Sequence, residues 1–289
     1  MGFWKTLFGG EDTTPEQEQK HKEERDFDTL KTDGQKASRL GRNEYAVMCF
    51  KKALEIHDDL ETRDYLAHAL ISIRHFDEAQ AELNILQQAE PENAQVAMLR
   101  ANVSFMQEDY NTMKDTLMPF ADKQEHADMA HLIDYWMAKA FIGLDNTEEA
   151  ITYLSKAVEA TPEFWDAYLL RAKTYLKSGQ TELAEKDTEL LLSQLGEQEE
   201  TLLMSARVTA KKGNLEEALD IYNKIMELNP FSVEGLRERG MLKTQLGDAK
   251  GGQADIAESE AINGTGAEEG IEEQIKQKYR SIDPYGIFG

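Results

Sequence analysis

The chain has 289 residues with 55 acidic and 32 basic side chains, which gives a formal net charge of -23 at pH 7. This charge disfavours nucleic acid as a partner, because affinity for a phosphate backbone depends on cations that displace counterions, and it also disfavours anionic membrane surfaces. The single cysteine, Cys49, excludes an intrachain disulfide framework and a four-cysteine zinc site, and no run of about 20 apolar residues is present to span a bilayer.

The first element is an aromatic peptide, in which Phe3, Trp4, Leu7 and Phe8 share one helical face. One interpretation is a peptide that docks on a partner or a membrane surface. The other is a disordered start or a segment that packs on its own protein, since two turns do not hold a helix in water. The charged stretch that follows, up to residue 26, predicts a flexible linker.

The apolar part of this start is too short for a secretory signal, and a single cysteine fits a reducing compartment. We therefore expect a cytoplasmic protein.

From residue 27 onward, small residues recur with gaps of 33 to 37 positions. One row consists of Gly34, Ala67, Ala101, Ala138, Ala172, Ala206 and Gly240. A second row, twelve positions later, consists of Ala46, Ala79, Met113, Ala150, Ala184, Ala218 and Gly252. Both rows share one irregular gap of 37, so chance is a poor explanation. A common period of this size is typical of stacked helix pairs whose backbones cross where only Gly or Ala fits.

Turn residues fall between the two rows and divide each unit into two helices. Gly41, Gly179, Gly213 and Gly247 are placed where a left-handed backbone would end a helix. Pro119 falls late in the third unit, beside the three extra residues, and predicts a broken or shifted helix there.

The pattern resembles the tetratricopeptide repeat family. The residues that carry the resemblance are Tyr168, Ala172, Tyr175, Gly179 and Ala184 in one unit, and Leu202, Ala206, Gly213, Ala218, Tyr222 and Pro230 in the next. The Leu of the family's Leu-Gly pair is mostly replaced, since Asp33, Arg100, Arg171 and Arg239 stand there. The resemblance implies an all-α solenoid, a right-handed superhelix of about seven helix pairs, with a C-terminal capping helix.

This fold divides the chain into three parts. They are the N-terminal segment 1-26, the repeat array 27-264 and the C-terminal helix and tail 265-289. The units of the array are 27-59, 60-93, 94-130, 131-164, 165-198, 199-232 and 233-264. We expect the break after the array at Gly264 to Gly266. The final helix is interpreted as a cap on the last repeat, as solenoids need. The closing residues 283-289 either fold back onto the array or form a short motif for a partner.

The resemblance implies a concave groove lined by the first helix of each pair, which binds a peptide segment of a partner. The residues predicted to line it are Lys139, Lys173, Lys177, Arg207, Lys211, Tyr135, Asn102 and Phe105. The cations recur at intervals of 34 and favour an acidic peptide or a free carboxylate. Acidic residues with the same interval, Asp166, Glu200 and Glu234, leave open a solvated face in which the charges neutralise each other.

Some family members hold a carboxylate in a clamp of Lys and Asn side chains. Here Lys31 matches the first Lys, but Gln35 and Tyr65 stand at the Asn positions, which predicts that the clamp is absent.

No spacing of His, Cys, Ser or Gly matches a metal site, a phosphate loop or a nucleophile elbow. We therefore expect a non-catalytic adaptor or scaffold with a protein or peptide partner and without cofactor or metal. The alternative is an assembly or localisation factor held at a membrane surface by the N-terminal aromatic peptide. The sequence does not predict the partner or the oligomeric state.

Overall fold

A computed structural model of the chain describes residues 14-269. Within this range the fold is all-α, with fourteen α-helices, two short 3-10 helices and no strand. The helices group into two compact units, Met1-Asn146 and Thr147-Gly289. The predicted fold class is confirmed, because each of the seven repeating segments contains two helices.

Unit 1 contains the first seven helices. They are α1 (Pro15-Arg39), α2 (Asn43-Ile56), α3 (Leu60-Ser72), α4 (Phe76-Ala89), α5 (Ala94-Met106), α6 (Tyr110-Leu117) and α7 (Ala130-Gly143). Unit 2 contains the other seven. They are α8 (Thr147-Ala160), α9 (Trp165-Lys177), α10 (Thr181-Leu195), α11 (Glu199-Lys211), α12 (Leu215-Leu228), α13 (Val233-Gln245) and α14 (Ala249-Glu269). In each unit, helices that follow one another in the chain pack side by side.

The two rows of small residues mark the places where paired helices cross. Every alanine of both rows is buried, with 0% exposure, and so is Met113. The glycines of the rows show how close the approach is. A Cβ atom on Gly34 would lie 2.5 Å from the ring of Phe50, and one on Gly240 would lie 2.7 Å from the carbonyl oxygen of Gly252. The close packing predicted from the sequence is therefore present.

The third helix pair is irregular where Pro119 falls. Helix α6 has only eight residues and ends at Leu117, and a 3-10 helix, Met118-Phe120, follows it. Proline has no backbone N-H to donate and its ring clashes with the preceding turn, so the helix cannot continue. A second 3-10 helix, Gln124-His126, fills the longer connection to α7. The predicted break is confirmed.

The charged linker predicted up to residue 26 is wrong from Pro15 onward, because α1 begins there and runs without interruption to Arg39. The helix begins with a capping box. The Oγ1 atom of Thr14 accepts a hydrogen bond from the backbone of Gln17, and the Gln17 side chain accepts one from the backbone of Thr14. Pro15 occupies the first helical position and acidic residues fill the first turn, both of which favour a helix start.

The break predicted at Gly264 to Gly266 is also wrong, since α14 continues through these positions to Glu269. A glycine inside a helix costs only about 1 kcal/mol relative to alanine, and α14 is anchored earlier by the buried side chains of Asp255 and Ser259. The predicted C-terminal tail, from residue 270, lies outside the described residues. In the described range, no helix is both long enough and apolar enough to cross a membrane.

Candidate functional site

Four aromatic and basic side chains of α5 and α7 form one cluster in unit 1. Lys139 Nζ lies 4.2 Å from the ring centre of Phe105, 4.3 Å from that of Trp136 and 5.5 Å from that of Tyr135. Phe105 and Trp136 contact each other edge to face, with ring centres 5.6 Å apart. We call Phe105, Tyr135, Trp136 and Lys139 the aromatic-lysine cluster. Phe105, Tyr135 and Lys139 were predicted as groove residues.

The repeat packing places this cluster. Lys139 follows Ala138, which is fully buried at a helix crossing, and Phe105 lies four positions after Ala101, which is buried in the same way. Tyr110 supports Phe105 from the next helix, with ring centres 6.2 Å apart. The ring of Tyr110 lies so close to Gly143 that a side chain there would collide with it. Tyr110 therefore links Phe105 on α5 to the backbone of α7 at Gly143.

The cluster is partly shielded from water and contains one ammonium group. Trp136 is buried, whereas Phe105, Tyr135 and Lys139 are half-buried. Attraction between an ammonium group and a ring face strengthens as water is excluded, from about 0.5-1 kcal/mol at exposed sites to about 2 kcal/mol. Three rings around one ammonium thus fix the position of the charge. Asn102, one turn before Phe105 on α5, is buried with 6% exposure.

In unit 2 the predicted cations have two different environments. Lys173 and Lys177 on α9 and Lys211 on α11 are exposed. Arg207 on α11 is instead held by two carboxylates of α13. Its Nε lies 2.9 Å from Glu238 Oε2, and its Nη2 contacts Glu238 Oε1 at 2.9 Å and also Glu234. Tyr222 donates a further hydrogen bond to Glu238 at 2.9 Å.

Arg207 is therefore neutralised by the next repeat. Burial alone would lower the pKa of its guanidinium, but the hydrogen bonds and charge of Glu238, together with Glu234, outweigh burial and raise that pKa. Glu234 was considered from the sequence as a neutralising residue. It does contact Arg207, and it lies on α13, in the following helix pair.

Two arginine-aspartate pairs recur in unit 2, and the sequence interpretation missed them. Arg171 on α9 donates to both carboxylate oxygens of Asp187 at 2.8 and 2.7 Å. Arg239 on α13 does the same with Asp255 at 2.7 and 2.8 Å. In both cases the aspartate follows the arginine by sixteen positions and joins the two helices of one pair. The signal was present, since these arginines stand where the family has leucine.

Lys31 of α1 is bound within unit 1. Its Nζ lies 2.8 Å from Asp59 Oδ2 and 2.6 Å from Glu61 Oε2, and Tyr65 donates to Glu61 at 2.8 Å. The side chain that matches the first position of the carboxylate clamp is thus already paired. The predicted docking peptide of Phe3, Trp4, Leu7 and Phe8 lies outside the described residues.

One group of side chains in the described range has atoms close enough to share a metal ion. Oxygen and nitrogen atoms of Glu92, Glu125 and His126 lie within 4.8 Å of one another. Both glutamates are exposed, and Lys123 Nζ already contacts Glu92 at 2.6 Å. A lysine in the group competes with any cation, so these contacts do not indicate a metal site.

Paired helices that expose basic and aromatic side chains define an α-solenoid of the protein-interaction class. Tetratricopeptide repeat models match residues 66-111, 135-164, 153-186 and 199-232. The chain is a tetratricopeptide repeat protein, and its repeats are a scaffold for protein-protein interaction. This family is generally non-catalytic. No curated protein matches the sequence.

Several solved structures share the fold at low sequence identity. A tetratricopeptide repeat protein from Parabacteroides merdae has a TM-score of 0.70 and 15% identity, over 87% of this chain and 98% of that chain. PilF of Pseudomonas aeruginosa has a TM-score of 0.58 and 17% identity, over 74% and 96%. YrrB, a tetratricopeptide repeat protein with an unusual peptide-binding site, has a TM-score of 0.51 and 21% identity, over 66% and 97%.

Proposed function

We propose that the chain is a non-catalytic adaptor that binds a peptide segment of a partner protein at the aromatic-lysine cluster. The observation that carries the proposal is the position of Lys139, whose ammonium group is fixed among three aromatic rings. A preorganised cation and ring faces reduce the ordering cost of binding, which then falls mainly on the peptide. The peptide-binding site of YrrB supports this use of the fold.

The chemistry of the cluster favours a peptide with a carboxylate, either an acidic side chain or a free C terminus. Lys139 supplies the positive charge, and the half-buried rings of Phe105 and Tyr135 supply apolar surface beside it. Asn102, predicted from the sequence as a groove residue, is buried and is left out of this contact surface. Tyrosine and tryptophan are also among the side chains that contribute most to binding at protein interfaces.

We further propose that Lys173, Lys177 and Lys211 contribute a second, weaker acidic-peptide surface in unit 2. They are exposed on the first helices of their pairs. Arg207 is left out of this proposal because it is half-buried rather than exposed. A cytoplasmic setting and the absence of cofactor and metal stay predictions from the sequence.

Site-specific photocrosslinking tests the proposal. A photoreactive phenylalanine analogue replaces Tyr135 in the cluster, and in a control protein it replaces Tyr45, which is 50% exposed on α2. Crosslinked segments are identified by mass spectrometry after affinity purification from cells. We expect one recurring segment with an acidic residue or a C terminus at position 135 and not at position 45. Equal crosslinking at both positions, or none at position 135, would contradict the proposal.

A further inference from the structure

Arg100 on α5 occupies the same repeat position as Arg171 and Arg239, but it has no carboxylate partner among residues 14-269. Asp187 and Asp255 follow Arg171 and Arg239 by sixteen positions. Each aspartate accepts hydrogen bonds from Nε and Nη2 of its arginine. Sixteen positions after Arg100 stands Thr116, a neutral residue that is 92% buried on α6. The chain therefore contains two complete copies of this pair and one from which the carboxylate is missing.

The position left by the missing carboxylate adjoins a cavity. Arg100, Thr116, Thr112, Gln87 and Phe120 line a space of about 360 Å³ within unit 1. This volume lies at the lower end of the range for small-molecule sites. Thr116 lies near the C-terminal end of the shortened helix α6, and Phe120 lies in the 3-10 helix that follows. The irregular third repeat therefore contributes to the lining of the cavity.

Polar atoms in this lining lack partners. Arg100 Nε and Gln87 Oε1 are both buried and make no hydrogen bond with the described part of the chain. Burial lowers the pKa of the Arg100 guanidinium. In Arg171, by contrast, burial is outweighed by the hydrogen bond and charge of Asp187, and the pKa is raised. A buried donor and a buried acceptor without partners are uncommon in folded proteins.

We propose that this cavity is a carboxylate-binding site, in which the ligand's carboxylate takes the place that Asp187 and Asp255 hold beside their arginines. Arg100 would bind the carboxylate, as guanidinium groups do with two parallel hydrogen bonds. Gln87 Oε1 would accept a hydrogen bond from an N-H group next to it. A carboxylate with a neighbouring N-H is found at the C terminus of a peptide and in N-acylated amino acids.

A singly charged ligand fits better than a phosphate. Both complete pairs in the chain use one carboxylate. Asp115 also lines the cavity, and its negative charge would repel a dianion more strongly than a monoanion. The site is separate from the aromatic-lysine cluster, so either proposal can fail without the other.

Titration of the full chain by NMR tests the site directly. The probes are N-acetylglycine, acetate and N-acetylglycinamide at constant ionic strength, and the signal is the Arg100 Nε-H resonance, identified by its loss in Arg100→Gln. We expect N-acetylglycine to shift this resonance and to bind at least tenfold more tightly than the uncharged amide. Comparable binding of acetate would assign the site to small carboxylates, and tighter binding of N-acetylglycine would assign it to peptide C termini or acylated amino acids.

Thr116→Asp supplies the missing carboxylate within the chain. It should raise the melting temperature, shift the Arg100 resonance without any ligand and abolish the response to N-acetylglycine. Thr152→Asp adds the same charge at an exposed position on α8 and should leave the response unchanged. The proposal is overturned if the unmodified chain gives no response, if the amide binds as tightly as the acid, or if Thr116→Asp binds the acid as before.

Discussion

Left-handed backbone at the turns inside the helix pairs is the most regular residue-scale feature of the chain. Four of these turns use glycine, as the sequence predicts, with φ between 71° and 98°. In the other three, Arg74, Glu108 and Asp145 have φ values of 61°, 57° and 57°. Residues with a Cβ atom are strained in this region, by roughly 1-2 kcal/mol. The left-handed backbone of these three residues was not predicted from the sequence, because the prediction relied on glycine, although they follow the same spacing.

Glu108→Gly should therefore stabilise the protein. Glu108 is exposed, and its backbone already makes the helix-ending hydrogen bond to Phe105 at 3.0 Å. The gain from relieved strain, less the greater freedom of glycine in the unfolded chain, should be roughly 0.5-1 kcal/mol. Urea denaturation measures it, with Glu108→Ala as the control that removes the carboxylate but keeps the strain. A glycine variant no more stable than the alanine variant would contradict the argument.

The pair of Arg239 and Asp255 makes stability depend on pH. Burial by itself would raise the pKa of Asp255, but hydrogen bonds and charge from Arg239 and Lys243 outweigh it and hold that pKa below its usual range. A carboxyl group with a lowered folded-state pKa stabilises the fold above its unfolded pKa, and this contribution is lost as pH falls through the folded value.

Asp255→Asn should destabilise the protein by roughly 2 kcal/mol at pH 7, because two partly buried cations lose their counterion. The difference from the unmodified chain should shrink as the pH is lowered below about 4. Urea denaturation between pH 7 and pH 3 measures both effects, and Asp220→Asn at an exposed position of α12 serves as the control. A difference that stays constant with pH would show that the ion pair is not its cause.

At the scale of helices, the crossing of α13 and α14 brings two backbones into close contact. A Cβ atom on Gly240 would lie 2.7 Å from the carbonyl oxygen of Gly252, and one on Gly252 would lie 2.5 Å from that of Gly240. Backbone atoms cannot move aside as the end of a flexible side chain can. Two glycines, where most of the other pairs use alanine, therefore bring the last two helices closer together.

Gly240→Ala should consequently destabilise the chain by about 1-3 kcal/mol, the usual cost of an added group in a packed site. Gly264→Ala provides the matched control, since Gly264 also lies in a helix but a Cβ atom there would meet nothing within 4 Å. That change should instead stabilise α14, by up to about 1 kcal/mol. Thermal unfolding followed by circular dichroism compares the two. Equal effects of the same sign would refute close backbone packing at Gly240.

Helices were predictable where a sequence pattern repeats along the chain. A helix boundary was missed where the pattern occurs only once. The rows of small residues predicted every helix pair, and Pro119 predicted the end of α6. The start of α1 was missed because charged composition was taken as disorder, although Thr14, Pro15 and Gln17 form a capping sequence. Glu238 was missed as a partner of Arg207 because it belongs to the following helix pair, and no spacing within one helix reveals it.

At the scale of the whole molecule, the net charge of -23 limits the choice of partner. We expect no binding to duplex DNA, because a strongly acidic surface cannot replace the counterions of the phosphate backbone. Fluorescence anisotropy with a labelled duplex at roughly 50 mM salt is the most sensitive condition, since electrostatic affinity is greatest at low salt. Binding that weakens steeply as salt is added would contradict this expectation and reveal a basic surface.

The central claim is that a partner peptide binds at the aromatic-lysine cluster, and calorimetric titration of the crosslinked segment tests it most directly. Lys139→Gln removes the charge held by the three rings and shortens the side chain by one atom. Lys52→Gln makes the same change at an exposed position of α2. The account predicts that Lys139→Gln weakens binding at least about fivefold, or roughly 1 kcal/mol, while Lys52→Gln changes it less than about twofold. Equal affinities for both variants and the unmodified chain would contradict it.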